Sequence, residues 1–296
     1  MFKDGSGYYT CCNMGAGAFL AGTTTSLERK GNRYGFIRHP FLPYPNSGAA
    51  SNWMGLPNKS HHNVAKKLSE YNKISGCPIG VSLAFDPDVN NNEEKIRGLI
   101  EGLEMYDKAG VDFIEVNFSC PNVASHSDVS DSNDIELSQI SERFLKKRSR
   151  NLPVIAKYSN DISPEIINKT IDNLIDLGYD GINIGNTSTN YRLHIDQIHR
   201  SDIKNYRLFT ERVGGGLSGS VLKQNSLELC KLAVSHIKTR SLTKEFHCIR
   251  TGGIDCGEDI LLSQSAGVYL NQWFSGFFDR FADDGFGVYR ELLVRR

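Results

Sequence analysis

The residues best suited to chemistry sit where apolar runs end. Residues 116–123 read VNFSCPNV, a strand-like run that stops at Ser119, Cys120, Pro121 and Asn122. Cys120 is a thiol held between a serine and a proline, with Asn117 and Asn122 on either side. A thiol titrates near about 8.5 and serves as a base once tuned toward neutrality. Lys157 lies inside the run PVIAKYS. An ammonium among apolar neighbours needs a partner, either a carboxylate on an adjacent strand or an anionic cofactor or substrate. Asn117, and Asn186 in IGNTSTN, each carry donors and acceptors. They suit a polar heterocycle better than a metal, and each alone is also a common turn cap. GGGLSG (214–219) and TGGI (251–254) either turn the chain or offer backbone N–H groups to a phosphate. Together the set suits redox chemistry on a flat polar molecule, with a thiol taking a proton and an organic, phosphate-bearing cofactor taking a hydride.

Other chemistries find less support. No Ser-His-Asp or Cys-His-Asn pattern stands near Cys120, and no HExxH or carboxylate cluster suggests a metal. His61, His62 and His126 read as solvated loop histidines. The seven cysteines are scattered, odd in number and without CxxC spacing, which disfavours a zinc site or a disulfide framework. Most read as small buried apolar groups. Lysine plus arginine equals aspartate plus glutamate at 34 each, which argues against nucleic acid or an anionic membrane as the main partner. No run approaches the roughly 18 apolar residues of a membrane span. The start, MFKDGSGYY, lacks a signal-peptide layout. The expectation is a soluble protein of a reducing compartment, cytoplasmic or peripheral on the inner membrane.

The elements that must position these residues alternate. Strands are expected at 17–25, 78–85, 111–118, 153–159, 180–187, 246–253 and 268–275. Between them, Ile96, Leu99, Ile100 and Leu103 share one helical face within 91–110. Ser163, Pro164 and Gly178 mark a helix start and stop, and helices are also expected at 223–238 and 257–267. Apolar strands alternating with helices predict an α/β fold with a buried parallel sheet. Polar residues at many strand C-termini favour a TIM (β/α)8 barrel over an open sheet. Only seven strands are visible, so the expectation is a barrel whose first strand is missing from this chain. Residues 30–60 and 123–136 read as long connections over the site, the second as a lid bearing on Cys120.

The motifs resemble the dihydroorotate dehydrogenase family of FMN-dependent barrels. NFSCPN is similar to its active-site loop, SNWMGLPN to its substrate loop, PVIAKYSNDIS to its lysine strand and DGINIGNTS to its Asn-Thr strand. GGLSG, GGI and QWFSGF are similar to its phosphate region, and the resemblance runs from Lys3 to about Phe277. It implies one FMN-binding barrel domain over residues 1–296 that oxidises dihydroorotate to orotate in UMP biosynthesis. Cys120 falls on the general base that removes the C5 proton while the C6 hydride passes to the flavin. Lys3 matches a lysine that meets flavin and substrate. Gly22 and Thr23 match a flavin-contacting turn, and Lys157 matches the cation beside flavin N1. Gly185 joins the cofactor set, and Ser218, Gly219, Gly252, Gly253, Phe274 and Ser275 match the phosphate cradle. Asn52, Met54, Gly55 and Leu56 match the substrate loop; Asn117 and Asn122 hold the ring, with Asn186 and Thr187 completing the pocket. Asn117 also falls in the cofactor set, and no metal is implied.

Several positions depart from the family pattern. The Lys3 frame is like the quinone-using class, whereas a Cys base is like the soluble class that reduces fumarate or NAD. Thr23 stands at the soluble class's lysine, Ser82 at a flavin-contacting Asn, and Gly185 at the quinone class's Thr. RTGG replaces GVGG, and Phe274 replaces Tyr. The family's first strand and Ala-Ala-Gly flavin loop precede the lysine, where this chain has Met1 and Phe2. Two other functions stay open at this level: reduction of another pyrimidine-like ring, and a non-catalytic barrel that binds or regulates.

Overall fold

The computed structural model describes residues 3–118 and 132–294. Cys120, Asn122 and the polar connection through Asp131 lie outside the described residues. Twelve strands are present among the described residues: β1 (Phe19–Thr24), β2 (Arg33–Tyr34), β3 (Ile37–Arg38), β4 (Phe41–Tyr44), β5 (Ala49–Asn52), β6 (Ile79–Leu83), β7 (Phe113–Asn117), β8 (Val154–Tyr158), β9 (Gly181–Ile184), β10 (Gly216–Gly219), β11 (His247–Thr251) and β12 (Leu270–Gln272). Seven of them coincide with the seven expected from sequence. The chain divides into two compact units, one built from residues 1–31, 55–157 and 172–181, the other from 32–54, 158–171 and 182–296.

In the first unit, β1, β6, β7 and β8 pair in parallel in that order. Val81, Leu83, Ile114, Val116, Val154 and Ala156 are fully buried, as strands covered on both faces require. The helix Asn92–Ala109 crosses from β6 to β7. The Asn91 side chain caps it by accepting from the Glu94 N–H at 3.0 Å, and Gly110 ends it at φ 78°. Ile96, Leu99, Ile100 and Leu103 form its buried face, at roughly 1.5–3 kcal/mol for each side chain removed from water.

One cysteine pair departs from the expectation of separate thiols. Cys12 and Cys77 form a disulfide. They lie 65 residues apart, but the helix Tyr8–Asn13 packs against the chain entering β6, where Tyr8 OH donates to Cys77 O at 2.9 Å. Their Cα atoms come within 5.9 Å, inside the span a disulfide needs. Cys11, Cys230 and Cys248 are buried, as expected, and Cys256 is half-buried.

In the second unit, β11 pairs in parallel with β12, and β9 lies beside β11. The segment expected to be a bare connection, 30–60, instead carries the hairpin β2–β3 and the strands β4 and β5. GGLSG, expected as a glycine turn, is strand β10, antiparallel to β5. The register pairs Gly216 with Asn52 and Gly219 with Ala49. Such pairing joins segments over 160 residues apart, which no local periodicity reveals. A core of Tyr44, Ala49, Tyr206, Leu217, Val221 and Leu222 holds this small sheet. Residues 132–136 of the second expected connection belong to the helix Ser132–Ile140.

Candidate functional site

Strand alternation builds the first part of the site. Glu115 and Asn117 are two residues apart on β7 and so point to one face. Register places Ser82 beside Glu115 and Lys157 beside Asn117, on that same face. Lys157 Nζ lies 3.2 Å from Glu115 Oε1, and the Glu115 side chain is only 1% exposed. The sequence left a carboxylate partner and an anionic ligand open for Lys157; the carboxylate is present. At the end of β1, Thr23 Oγ1 meets Ser82 Oγ at 3.1 Å and accepts from Asn117 Nδ2 at 3.3 Å. Ser82, which departs from the family pattern, thus finds its partner in Thr23. The Lys3 carbonyl accepts from Gly22 N–H at 2.9 Å, which ties the lysine's backbone to the same turn. The first unit thus brings together Lys3, Gly22, Thr23, Asn117 and Lys157. Gly55 and Leu56 also belong to it, with Leu56 packed on Ala84.

Behind that turn lies a buried network the sequence did not reveal. His61 was expected in a solvated loop. It lies instead on the helix Ser60–Ser69, 2% exposed, with Nδ1 3.0 Å from Thr24 Oγ1. Thr24 Oγ1 also meets Tyr106 OH at 3.0 Å, and the His61 and Tyr106 rings stand edge to face. Gly102 leaves room for the imidazole, since a Cβ there would lie 2.5 Å from its Cδ2. Helical phase was the available signal: Val64, Ala65 and Leu68 continue the face that His61 starts.

Burial pushes the His61 pKa down to about 3. Its ordinary value is about 6.5, so acid protonates the unfolded chain before the folded one. This contribution to stability is therefore complete above about 6.5 and falls with pH below it, by about 2 kcal/mol at pH 5. Urea unfolding at pH 7 and pH 5 should show that drop, and His61→Gln should flatten it. An equally steep loss in the variant would assign the acid sensitivity elsewhere.

The second unit supplies a glycine-walled cleft of about 370 Å³ including its open mouth. Asn186, Ser218, Gly219, Gly252, Gly253, Phe274 and Ser275 all line it. Ser218 Oγ lies 2.8 Å from Ser275 Oγ, and the helix Ser275–Asp284 begins at this wall. Gly253 has φ 78°, and a Cβ there would lie 2.5 Å from the Lys223 backbone nitrogen. Gly253 is thus required by the close passage of its own chain against Lys223, while the N-terminus of Ser275–Asp284 at the cleft wall offers backbone N–H groups of the kind that suit a phosphate. Asn52, on β5, sends Nδ2 toward Gly216 O at 3.4 Å, and Met54 closes the same segment. Gly185 and Thr187 lie just after β9; Cβ atoms added at Gly185 and Gly216 would strike Thr251 O and Thr187 Oγ1 respectively.

The departure RTGG has a structural role in this unit. Arg250 is 1% exposed. It donates to Ser226 Oγ at 2.9 Å, Lys223 O at 2.8 Å and Ser263 Oγ at 2.8 Å. It thereby ties β11 to the helices Lys223–Thr239 and Gly257–Ser265. Thr251 Oγ1 lies 2.8 Å from Asn183 Oδ1 and 3.1 Å from Gln272 Oε1, linking β9, β11 and β12. Lys223 Nζ contacts Asp255 at 2.8 Å and Asp259 at 3.1 Å, pinning the loop after Gly253. Burial alone would raise Asp259, but the Asp255 backbone N–H and then Lys223 hold it below the usual carboxylate value. In the sequence, the lone Arg inside the strand HCIRT is the one visible clue to these braces.

The profile of the family "Dihydroorotate dehydrogenase" matches residues 1–282. The chain belongs to the dihydroorotate dehydrogenase family. Among its relatives, a dihydroorotate dehydrogenase (quinone) of Aeromonas hydrophila is 28% identical over 93% of this chain and 76% of its own length. A dihydroorotate dehydrogenase (quinone) of Xylella fastidiosa is 26% identical over 93% of this chain and 73% of its own. A solved Eimeria tenella DHODH, in complex with ferulenol, superposes with a TM-score of 0.78 at 19% identity, covering 98% of this chain and 76% of the other. That likeness establishes the fold as α/β of the TIM-barrel kind. Dihydroorotate dehydrogenases are flavin-dependent, and the glycine cleft of the second unit is chemically suited to a phosphate.

Proposed function

We propose that this protein is a single barrel domain that oxidises dihydroorotate to orotate in pyrimidine biosynthesis, with FMN as cofactor and a quinone as electron acceptor. The observation that carries the reading is the shared face of Asn117 and Lys157, with Thr23 bonded to that amide. Family membership and the quinone-using relatives support the substrate and the acceptor. A lipid-soluble acceptor favours a place in the cytoplasm at the periphery of the inner membrane. No described helix is long and apolar enough to cross a membrane.

FMN, when bound, supplies the acceptor for the hydride from C6 of the substrate. The chain's own residues do the rest. Cys120, as thiolate, takes the C5 proton, so that the substrate loses a proton and a hydride in all. Lys157 and Lys3 supply positive charge where negative charge accumulates. Asn117, Asn122, Asn186 and Thr187 orient the ring through its amide edges, with Asn52, Met54, Gly55 and Leu56 closing over it. Gly22, Thr23 and Gly185 shape the cofactor's surroundings. Gly252 and Gly253 admit the phosphate, and Ser218, Gly219, Phe274 and Ser275 hold it.

Mixing the purified protein with dihydroorotate in the absence of oxygen should bleach the flavin absorbance. Adding a short-chain quinone should restore the colour faster than fumarate or NAD does. A yellow protein that never bleaches would sink the substrate assignment. Recovery fastest with fumarate or NAD would overturn the acceptor.

A further inference from the structure

The zero net charge of the chain hides a local excess. From Arg29 through Ser69 there is no acidic residue. Several cations of that stretch are paired with acids outside it: Arg29 with Asp86, Lys59 with Glu28, Lys67 with Asp4. Arg33 and Arg38 instead stand exposed on the β2–β3 hairpin. All six residues from Arg33 to Arg38 are exposed, and Phe36 at the tip is 99% exposed.

The hairpin's geometry sorts these side chains. Arg33 pairs with Arg38 and Tyr34 with Ile37, leaving Gly35 and Phe36 as a two-residue loop. Gly35 takes φ 58°, and a Cβ there would meet nothing within 4 Å, so the turn projects freely. Partners in register share a face and neighbours alternate. Tyr34 and Ile37 therefore form one apolar face that runs into Phe36, and the two arginines form the other. A fully exposed phenylalanine joined to an exposed isoleucine and tyrosine is an apolar patch in need of cover. The paired arginines beside it state the charge of what covers it.

We propose that the β2–β3 hairpin docks the protein on an anionic lipid bilayer. Phe36 and Ile37 enter the boundary between headgroups and acyl chains, Tyr34 lies at headgroup level, and Arg33 and Arg38 pair with lipid phosphates. The inference gives a physical means to the membrane-side location proposed above. Its geometry is independent of the reaction, and vesicle binding is measured apart from dihydroorotate oxidation, so either fails alone.

The test is flotation of the full chain with phosphatidylcholine vesicles, with and without about a third phosphatidylglycerol. The protein should float with the anionic vesicles, far less with neutral ones, and less as salt rises. F36S with I37S should weaken binding about tenfold or more, as should R33Q with R38Q, and the second pair should also flatten the salt dependence. All these side chains are exposed, so circular dichroism and thermal unfolding should match the parent. Absence of the parent from anionic vesicles, or binding unmoved by both pairs, overturns the proposal. Light scattering that shows a dimer abolished by F36S and I37S, without vesicle binding, overturns it in favour of a second copy as the cover.

Discussion

Lys157→Met is expected to strip the protein of its yellow colour and lower its stability by about 3–5 kcal/mol. The two losses have different causes. Glu115 is almost fully buried and meets the Lys157 ammonium at 3.2 Å. Methionine keeps the volume but leaves the carboxylate without that cation, in a place where an uncompensated charge is costly. The loss of flavin follows from the second role proposed for the same ammonium, as positive charge against the reduced cofactor. Adding Glu115→Leu separates the two. Replacing both partners of a buried pair by apolar groups is often neutral, so the double variant should recover most of the urea midpoint. It should still elute without flavin. A double variant that regains both stability and colour would reduce Lys157 to a partner of Glu115.

Cys120→Ala is expected to slow anaerobic flavin reduction by roughly 10²–10⁴-fold, the usual contribution of a positioned general base. Flavin content should stay at the parent level, because the cofactor roles are assigned to other residues. Stopped-flow absorbance at saturating dihydroorotate reads the step directly. The rate in the parent should rise with pH as the thiol ionises. Cys120→Ser should retain more activity than alanine and move that rise to higher pH, since a hydroxyl gives up its proton less readily. A parent and alanine variant with equal reduction rates would remove Cys120 from the role of base.

Much of the fold was legible because it rests on local regularities. The strands β1, β6, β7, β8 and β9 lie in largely apolar runs, and the helix Asn92–Ala109 shows its face at i, i+3, i+4 and i+7 between an Asn cap and a closing glycine. The candidate site was legible as polar groups near strand C-termini, where Thr23, Asn117 and Lys157 lie. Strand alternation then decided which of them share a face.

Illegible features depend on contacts between distant segments. β5 and β10 look like loop and glycine turn until they pair with each other. Cys12 and Cys77 look like separate thiols until a helix brings them to 5.9 Å. His61 looks solvated until the helix carrying it turns it onto Thr24 and Tyr106. The departures at Ser82 and Arg250 look like losses until their partners appear.

By itself, the sequence determined the alternating α/β framework and the family it resembles, and it named the candidate residues for redox chemistry. Periodicity and residue chemistry are written along the chain, so one dimension suffices to read them. Only the tertiary structure decided that Lys157 meets Glu115, that Ser82 meets Thr23, and that Phe36 stands bare beside two arginines. Pairing and exposure are properties of neighbours in space, and those neighbours are set by register and packing between segments far apart in the chain.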